Sequence, residues 1–317
     1  MRIIENKIIE TTQSPIKGLL NDLHPAIINI APERAAEFDE KFNSFTIEYL
    51  DDDEYIANVQ IESKHIKIST GAFELLWVLA YAHFQYYYKV IQKIGCEEEI
   101  EIGPDHLSEM LPAIDLLNWA MNRHFNHLEW RRNGGKKPER NPWPTNLPSL
   151  LSSSDDLSDE AVASEFTRGA VAALIHHELA HIELGHSGSS EIDPEKDADA
   201  HSWDWILGSK DTGGDAAELK RILMLIHAAL VGVAVDTRLK RNTLIGHPRN
   251  IDRLSNLLGR FELDPNDLAY AFCLTILQFH SGFTDHKFGT PGIEYASFQD
   301  AFEAIADYIS TFETETI

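Results

Sequence analysis

The chain has 317 residues, of which 43% are hydrophobic, so it can form one large domain or two small ones around a sizeable core. Its 51 acidic and 27 basic side chains give a formal net charge of −24 at pH 7. This charge repels phosphate backbones and anionic lipid headgroups, which argues against binding to nucleic acid or to a membrane surface.

The cysteines and the apolar segments indicate a cytoplasmic protein without a membrane span. Cys96 and Cys273 lie far apart without a CxxC spacing, so neither a disulfide framework nor a cysteine zinc site is expected. The first residues lack the unbroken apolar run of a secretory signal. The most apolar stretches, Leu75–Ala82 and Ile222–Val235, are shorter than the roughly 20 residues that a span needs, which favours core helices.

The N-terminal part of the chain carries the strand signals. Between Phe45 and Ile68, FTIEYL, YIANVQIE and HIKIS alternate apolar and polar residues around the acidic turn DDDE, which predicts an antiparallel meander. Two helical segments follow Thr70, GAFELLWVLAYAHFQYYYKVIQK and SEMLPAIDLLNWAMNRHF, the second interrupted at its start by Pro112. The composition of Asn133–Asp156 predicts a long surface loop that either borders a cleft or connects flexibly.

The second half of the chain predicts further helices. They are Ser158–Leu184 with Gly185 as its stop, Pro194–Leu207 with Asp193 as its N-cap and Gly208 as its end, Ala216–Lys240, Asn250–Leu258, Pro265–His280 and Ser297–Thr311. The expected fold is therefore α+β and mostly helical, with an N-terminal antiparallel β-sheet. Residues 1–70 form a β-rich segment packed on a helical domain of residues 71–317, together one compact unit.

One predicted helix contains LIHHELAHIELGH, in which His177, Glu178 and His181 form an HExxH motif. Burying these groups without partners would cost several kcal/mol, so something must compensate that cost. Residues four apart lie above one another on a helix, so both imidazoles can bind one Zn²⁺ ion. Zinc hydrolases take three protein ligands and keep a fourth position for water, whose proton the glutamate accepts. Glu178 is the predicted base.

Glu195 is the predicted third zinc ligand. His186 does not fit the alternative HExxHxxGxxH pattern, because it lies five positions after His181 instead of six. The segment EKDADAHSWDWILG instead offers Glu195, with Asp199 one helical turn later to accept a hydrogen bond from a ligating histidine. The alternative is a buried polar cluster satisfied by hydrogen bonds alone.

The neighbouring histidines are given structural roles. His176 points about 100° away from His177 on the helix and is predicted to pack or face solvent. His186 lies at the helix end, where a histidine interacts favourably with the helix dipole. His201 lies two positions after Asp199, off the ligand face, so a supporting role is favoured over coordination.

These motifs resemble those of known metallopeptidases. Glu195, Ala198 and Asp199 resemble the ExxAD signature of the gluzincins, and HPRNIDR, His247–Arg253, is similar to the HPxxxxR element of several of them. More narrowly, HHExxH followed closely by ExxADxHxxxWILG resembles the phage-exclusion Lit peptidases, family U49. The similarity covers most of the chain and is weakest before residue 40 and after residue 260.

The resemblance implies a gluzincin-like fold and a zinc endopeptidase of the bacterial cytoplasm. Its protein substrate would be the translation factor EF-Tu, its activator a phage coat-protein segment, and its effect abortive infection. His247 would donate a hydrogen bond to the oxyanion or, alternatively, cap a turn before Pro248. Arg253 would orient His247 or pair with a site carboxylate, or else form a surface ion pair.

A different class of function is also open. A zinc-stabilised sensor or binding module would detect a partner without hydrolysing it. A purely structural zinc site is usually closed by a fourth protein ligand and needs no base, so the glutamate at position 178 argues against this interpretation.

Overall fold

The protein is mostly helical with a small sheet near the N-terminus, which confirms the predicted α+β class. This computed structural model describes residues 2–4, 16–42, 44–88, 108–144, 158–186, 192–208, 216–244, 248–261, 263–281 and 295–316. The helices are α1 (Ile16–Asn29), α2 (Ala35–Phe42), α3 (Thr70–Tyr86), α4 (Leu111–Asn133), α5 (Asp159–Leu184), α6 (Ile192–Leu207), α7 (Ala216–Leu239), α8 (Asn250–Gly259), α9 (Leu268–Ser281) and α10 (Phe298–Ser310). The strands are β1 (Arg2–Ile4), β2 (Thr46–Leu50), β3 (Ala57–Gln60), β4 (His65–Ser69), β5 (Arg241–Leu244) and β6 (Glu313–Thr316).

The N-terminal sheet is mixed, with the strand order β1-β2-β4-β3. Strands β3 and β4 form an antiparallel pair, as the sequence predicts. Strand β2, however, pairs with β4 in parallel, with Ile47 opposite Ile66, so the predicted antiparallel meander was wrong for this pair. Alternating residues define the two faces of a strand but not its direction, and residues 51–56 cross from β2 to the far side of β4.

Helix α5 lies at the centre of the fold and packs against α1, α3, α6 and α7. Ile47, Ile66 and Ile68 are at most 1% exposed and belong to the same hydrophobic core as Leu76 and Leu179. This core includes side chains from before and after residue 70. The division into segments 1–70 and 71–317 stays a prediction, and the two segments share one hydrophobic core.

Helices α1 and α2 were not predicted, and they add helical structure to the segment expected to be β-rich. Pro25 lies inside α1, where proline normally argues against a helix. The apolar residues Ile16, Leu19, Leu23 and Ile27 nevertheless have helical spacing and are at most 3% exposed. Burial of this face against α5 stabilises α1 despite its proline.

The ends of α5 follow the prediction, whereas α6 begins at Ile192, so Asp193 lies inside the helix and its prediction as the N-cap was wrong. The Ser158 Oγ accepts a hydrogen bond from the Ala161 N–H at the start of α5, and Gly185 ends the helix with a φ of 67°. Pro112 does not interrupt α4 but lies in its first turn, where proline is tolerated. The loop expected over Asn133–Asp156 is irregular from residue 134 to 144, and its remainder lies outside the described residues.

Helix α7 contains the one segment of the described chain that is long and apolar enough to cross a membrane, Glu218–Leu239. Within its most apolar window, 67% of the residues are buried inside the protein. The helix packs against α5, α8 and α9, which agrees with the predicted core helix.

Candidate metal centre

The two motif histidines of α5 lie side by side on one face of the helix. The His177 and His181 side chains are 7% and 10% exposed, and their ring centroids are 4.8 Å apart. Their Nε2 atoms are 3.1 Å apart. The four-residue spacing therefore directs both nitrogen lone pairs to one point, as the helical period requires.

Glu195 reaches the same point from the first half of α6. Its Oε2 lies 3.2 Å from His177 Nε2 and its Oε1 lies 3.4 Å from His181 Nε2. One ligand atom from each of the three residues lies within 4.8 Å of the other two, so this buried cluster could hold a metal ion.

These distances fit a tetrahedral site. Ligand atoms placed about 2.0–2.1 Å from a central zinc ion at tetrahedral angles lie about 3.3 Å from one another. The nitrogen–nitrogen distance of 3.1 Å and the nitrogen–oxygen distances of 3.2 and 3.4 Å are close to that value. Two nitrogens and one carboxylate oxygen are also donors that zinc prefers.

Asp199 supports the cluster from one turn further along α6. Its Oδ1 lies 2.9 Å from His177 Nδ1, the ring nitrogen that faces away from Glu195. Arg253, on α8, donates two hydrogen bonds to the same carboxylate, 2.7 Å from its Nε and 2.5 Å from its Nη2. Arg253 therefore pairs with the Asp199 carboxylate, while its role in the site stays a prediction.

The electrostatic field at this position favours a cation. Burial lowers the pKa of His177, but the hydrogen bonds to Asp199 and Glu195 outweigh it and raise that pKa to about 9. Burial raises the pKa of Asp199, while the charge of Arg253 and the hydrogen bond to His177 hold it at about 2. Carboxylates placed to stabilise a protonated imidazole also attract a metal cation.

Glu178 lines a cavity of about 400 Å³ next to the cluster. The side chain is close to fully buried, with 9% of the residue exposed. Other walls of the cavity come from β3, α4, α6 and α7 and are partly apolar. They include Ala57, Asn58, Leu128, Trp203, Leu225, Ala228, Val231 and Gly232. The cavity therefore places Glu178 and His177 at the edge of a space that can admit a ligand.

The structure places the other motif histidines as follows. His176 packs against Trp205 and its Nε2 lies 3.0 Å from the Ile27 carbonyl oxygen, in agreement with the predicted packing role. His201 Nε2 lies 3.4 Å from the Glu183 carboxylate, away from the ligand cluster. His247 lies outside the described residues.

His186 has a contact that the sequence did not predict. Beyond the left-handed Gly185 the chain turns back, and His186 Nδ1 lies 2.9 Å from His181 Nδ1. One of these two nitrogens must carry the shared proton, so this contact orients the His181 ring. The spacing of five positions gave no indication of it, because the contact depends on the conformation after the helix end.

The sequence analysis missed several polar side chains of the cavity wall. Among them are Tyr55, which follows the acidic turn, and His124, His127 and Arg131, which share one face of α4. The sequence pattern predicted the acidic turn only as a connection between strands. The described part of the loop after α4 does not line the cavity but binds this acidic turn, with a hydrogen bond of 2.8 Å from the Asn141 N–H to Asp53.

The fold and the site together define a mostly helical α+β protein with a buried His₂Glu cluster, contributed by an HExxH helix and the helix after it, beside a ligand-sized cavity. Comparison with known proteins agrees with the resemblance noted in the sequence. The family model of peptidase U49 matches residues 66–273. The chain therefore belongs to the peptidase U49 family, and it is a peptidase.

A curated relative is similar over almost the whole chain. The cell death peptidase of Escherichia coli (strain K12) is 24% identical over 282 residues, which cover 84% of this chain and 89% of the relative. No solved structure matches the fold.

Proposed function

We propose that this protein is a zinc-dependent endopeptidase that cleaves a cytoplasmic protein. The observation that carries the proposal is the convergence of His177, His181 and Glu195 within 4.8 Å, beside a cavity lined by Glu178. Two imidazoles and one carboxylate form the ligand set of the His₂Glu zinc peptidases. Membership of a peptidase family supports hydrolysis of a peptide bond as the reaction.

Glu178 is proposed as the general base and acid. When bound, zinc supplies a Lewis acid that makes water a nucleophile near neutral pH. The Glu178 carboxylate would accept a proton from the attacking water and then donate it to the amide nitrogen as the C–N bond breaks. Its neighbouring position to His177 on α5 and its place in the cavity wall support this role.

Asp199 and Arg253 are proposed as positioning residues. The Asp199 carboxylate, 2.9 Å from His177 Nδ1, would accept a hydrogen bond from the Nδ1–H and so keep the Nε2 lone pair free to bind the metal. The two hydrogen bonds from Arg253 would fix the rotamer of Asp199. The proposed oxyanion contact of His247 rests on the HPxxxxR motif.

The substrate is proposed to bind as an extended strand. Strand β3 lies at the end of the strand order in the described sheet, and its residues Ala57 and Asn58 line the cavity. An exposed sheet edge can pair with the backbone of an extended peptide. This arrangement would lay a peptide bond across the cavity mouth near Glu178.

EF-Tu is the first substrate to test, with a phage coat-protein segment as the activator, because the Lit-type peptidases imply both. The name of the Escherichia coli relative, cell death peptidase, agrees with a role in abortive infection. The large excess of acidic side chains, 51 against 27 basic ones, also argues for a protein substrate over a nucleic acid.

The test compares the wild type with Glu178→Gln. Both proteins are purified, their zinc content is measured, and each is incubated with purified EF-Tu and with lysates of uninfected and phage-infected bacteria. New protein termini are then identified by mass spectrometry. We expect one zinc ion per chain in both proteins and cleavage by the wild type alone. Equal cleavage by both proteins would refute the proposal, and an intact partner bound equally by both would indicate a sensor.

A further inference from the structure

Tyr55 lies in the wall of the cavity that contains Glu178 and His177. Its ring packs edge-on against His124, with the ring centroids 5.9 Å apart. Glu178 and Arg253 line the same cavity as Tyr55, and the charges of both act on its hydroxyl group. Within the described residues, this hydroxyl group has no hydrogen-bond partner.

The backbone on both sides of Tyr55 is held by one serine. The Ser69 Oγ donates a hydrogen bond to the Glu54 carbonyl at 2.5 Å and accepts one from the Ile56 N–H at 3.0 Å. The Ser69 N–H also donates to the Ile56 carbonyl at 2.9 Å. Because the same Oγ caps the N-terminus of α3, the position of Tyr55 is tied to a rigid core helix.

The acidic turn before Tyr55 is fixed by cations. Arg131 forms an ion pair with Glu54, and Lys137 Nζ lies 2.6 Å from the Asp52 carboxylate. The Asp52 carbonyl accepts a hydrogen bond of 2.7 Å from the Gly71 N–H. These contacts fix the acidic loop that precedes Tyr55, whose side chain lines the cavity.

We propose that Tyr55 is a catalytic residue that donates a hydrogen bond from its Oη to the substrate carbonyl oxygen as that oxygen becomes negatively charged. This inference rests on the proposed peptidase function. In that step water loses a proton to the Glu178 carboxylate and adds to the carbonyl carbon, and the carbonyl π electrons move to oxygen. The Tyr55 proton stays on Oη while it is shared with the oxyanion. A donor placed where charge develops stabilises the transition state more than the ground state.

The protonation state of the phenol supports this role. Burial raises the pKa of Tyr55 to about 12, and the Glu178 charge also raises it, against the effect of Arg253. The hydroxyl group is therefore a donor throughout the neutral range. The aromatic ring alone could serve to shape the wall, so the test must separate the hydroxyl group from the ring.

Tyr55→Phe removes only the hydroxyl group, and Tyr81→Phe is the matched control. Tyr81 is a buried tyrosine whose pKa burial raises to about 12, it stacks on Trp77, and it does not line the cavity. Zinc-loaded wild type, Tyr55→Phe, Tyr81→Phe and Glu178→Gln are titrated calorimetrically with two peptides. N-Phosphoryl-leucyl-alaninamide carries a tetrahedral anion like the transition state, and N-acetyl-leucyl-alaninamide carries a planar carbonyl like the substrate.

We expect Tyr55→Phe to bind the phosphoryl peptide about 10- to 100-fold more weakly than the wild type does, as for the loss of one hydrogen bond to a charged group. Its affinity for the acetyl peptide, its zinc content and its melting temperature should match those of Tyr81→Phe and the wild type. A Tyr55→Phe variant that binds the phosphoryl peptide as the wild type does, or that loses affinity for both peptides equally, would overturn the assignment. If the zinc-loaded wild type shows no preference for the phosphoryl peptide, the proposed peptidase mechanism fails first, and the role of Tyr55 fails with it.

Discussion

Arg253 and Asp199 are 54 positions apart in the chain, yet the guanidinium donates two hydrogen bonds to the carboxylate, 2.7 and 2.5 Å long. Asp199 in turn lies 2.9 Å from His177 Nδ1. The pair therefore connects α8 to a metal-ligand candidate on α5 through α6. Because Asp199 is 4% exposed, its charge is stabilised by these partners and not by water.

Arg253→Ala should weaken metal binding. The variant leaves the Asp199 carboxylate buried without its guanidinium, and His177 loses a fixed hydrogen-bond acceptor. We expect the zinc affinity to fall about 10- to 100-fold, as for other partners of metal ligands. Arg253→Lys should recover only part of it, because an ammonium cannot make both parallel hydrogen bonds. Competition with a zinc chelator measures the affinity.

Arg260→Ala is the matched control for this variant. Arg260 follows α8 and pairs with Asp204 on α6, so it links the same two regions of the fold, but the Arg260 and Asp204 side chains are 32% and 67% exposed. An exposed pair of this kind contributes little to stability. Zinc affinity should not change, and equal losses in both variants would argue against a special role of Arg253.

Glu178→Gln should abolish cleavage while the metal is retained. The amide keeps the volume of the side chain but cannot act as the base, so we expect the cleavage rate to fall about 100- to 10,000-fold. Glu183→Gln, on the same helix, is the control because Glu183 lies outside the cavity and pairs with Lys41 at 2.6 Å. Cleavage rates and zinc content are measured for all three proteins, and full activity in Glu178→Gln would exclude this residue as the base.

Three buried histidines away from the metal centre should make the protein sensitive to acid. His83 Nε2 lies 2.7 Å from His280 Nε2, and the His227 ring packs against His83 at 5.6 Å. Burial lowers the pKa of His227 to about 4 and lowers the pKa values of His83 and His280 well below 6.5. On acidification, the unfolded chain then binds more protons than the folded one. The contribution of these histidines to the free energy of unfolding is therefore fully present above about pH 6.5 and is lost as the pH falls.

His227→Leu should reduce the loss of stability on acidification. A shift of the His227 pKa from 6.5 to about 4 corresponds to about 3 kcal/mol, which the wild type loses between those pH values and the variant does not. Urea unfolding of both proteins at pH 7.5 and pH 4, each with a chelator present so that metal loss cannot contribute, gives the free energies. Parallel pH profiles for the two proteins would show that His227 does not titrate in this range.

Gly71→Ala should displace the acidic turn. An added Cβ at position 71 would lie 2.2 Å from the Asp53 carbonyl oxygen, a contact that neither backbone can avoid without moving. We expect a loss of at least about 2 kcal/mol in unfolding free energy. Gly18→Ala, on α1, meets nothing within 4 Å and should instead stabilise the protein by about 0.5–1 kcal/mol. Thermal melting distinguishes the two substitutions.

Local sequence patterns determined the parts of the site that lie within one helix. The spacing of His177 and His181 predicts a shared face because the helical period is 3.6 residues, and the structure has their Nε2 atoms 3.1 Å apart. Ser158 and Gly185 similarly predicted the ends of α5, since a hydroxyl cap and a left-handed glycine act on the nearest backbone groups.

Contacts between distant segments were decided only by the tertiary structure. The alternating residues of β2 and β4 identify strands, but the parallel pairing of Ile47 with Ile66 depends on how residues 51–56 cross the sheet. The position of Tyr55 in the cavity wall depends on Ser69. No local period encodes such contacts, because their free energy comes from burial and hydrogen bonds between elements that meet only after the chain has folded.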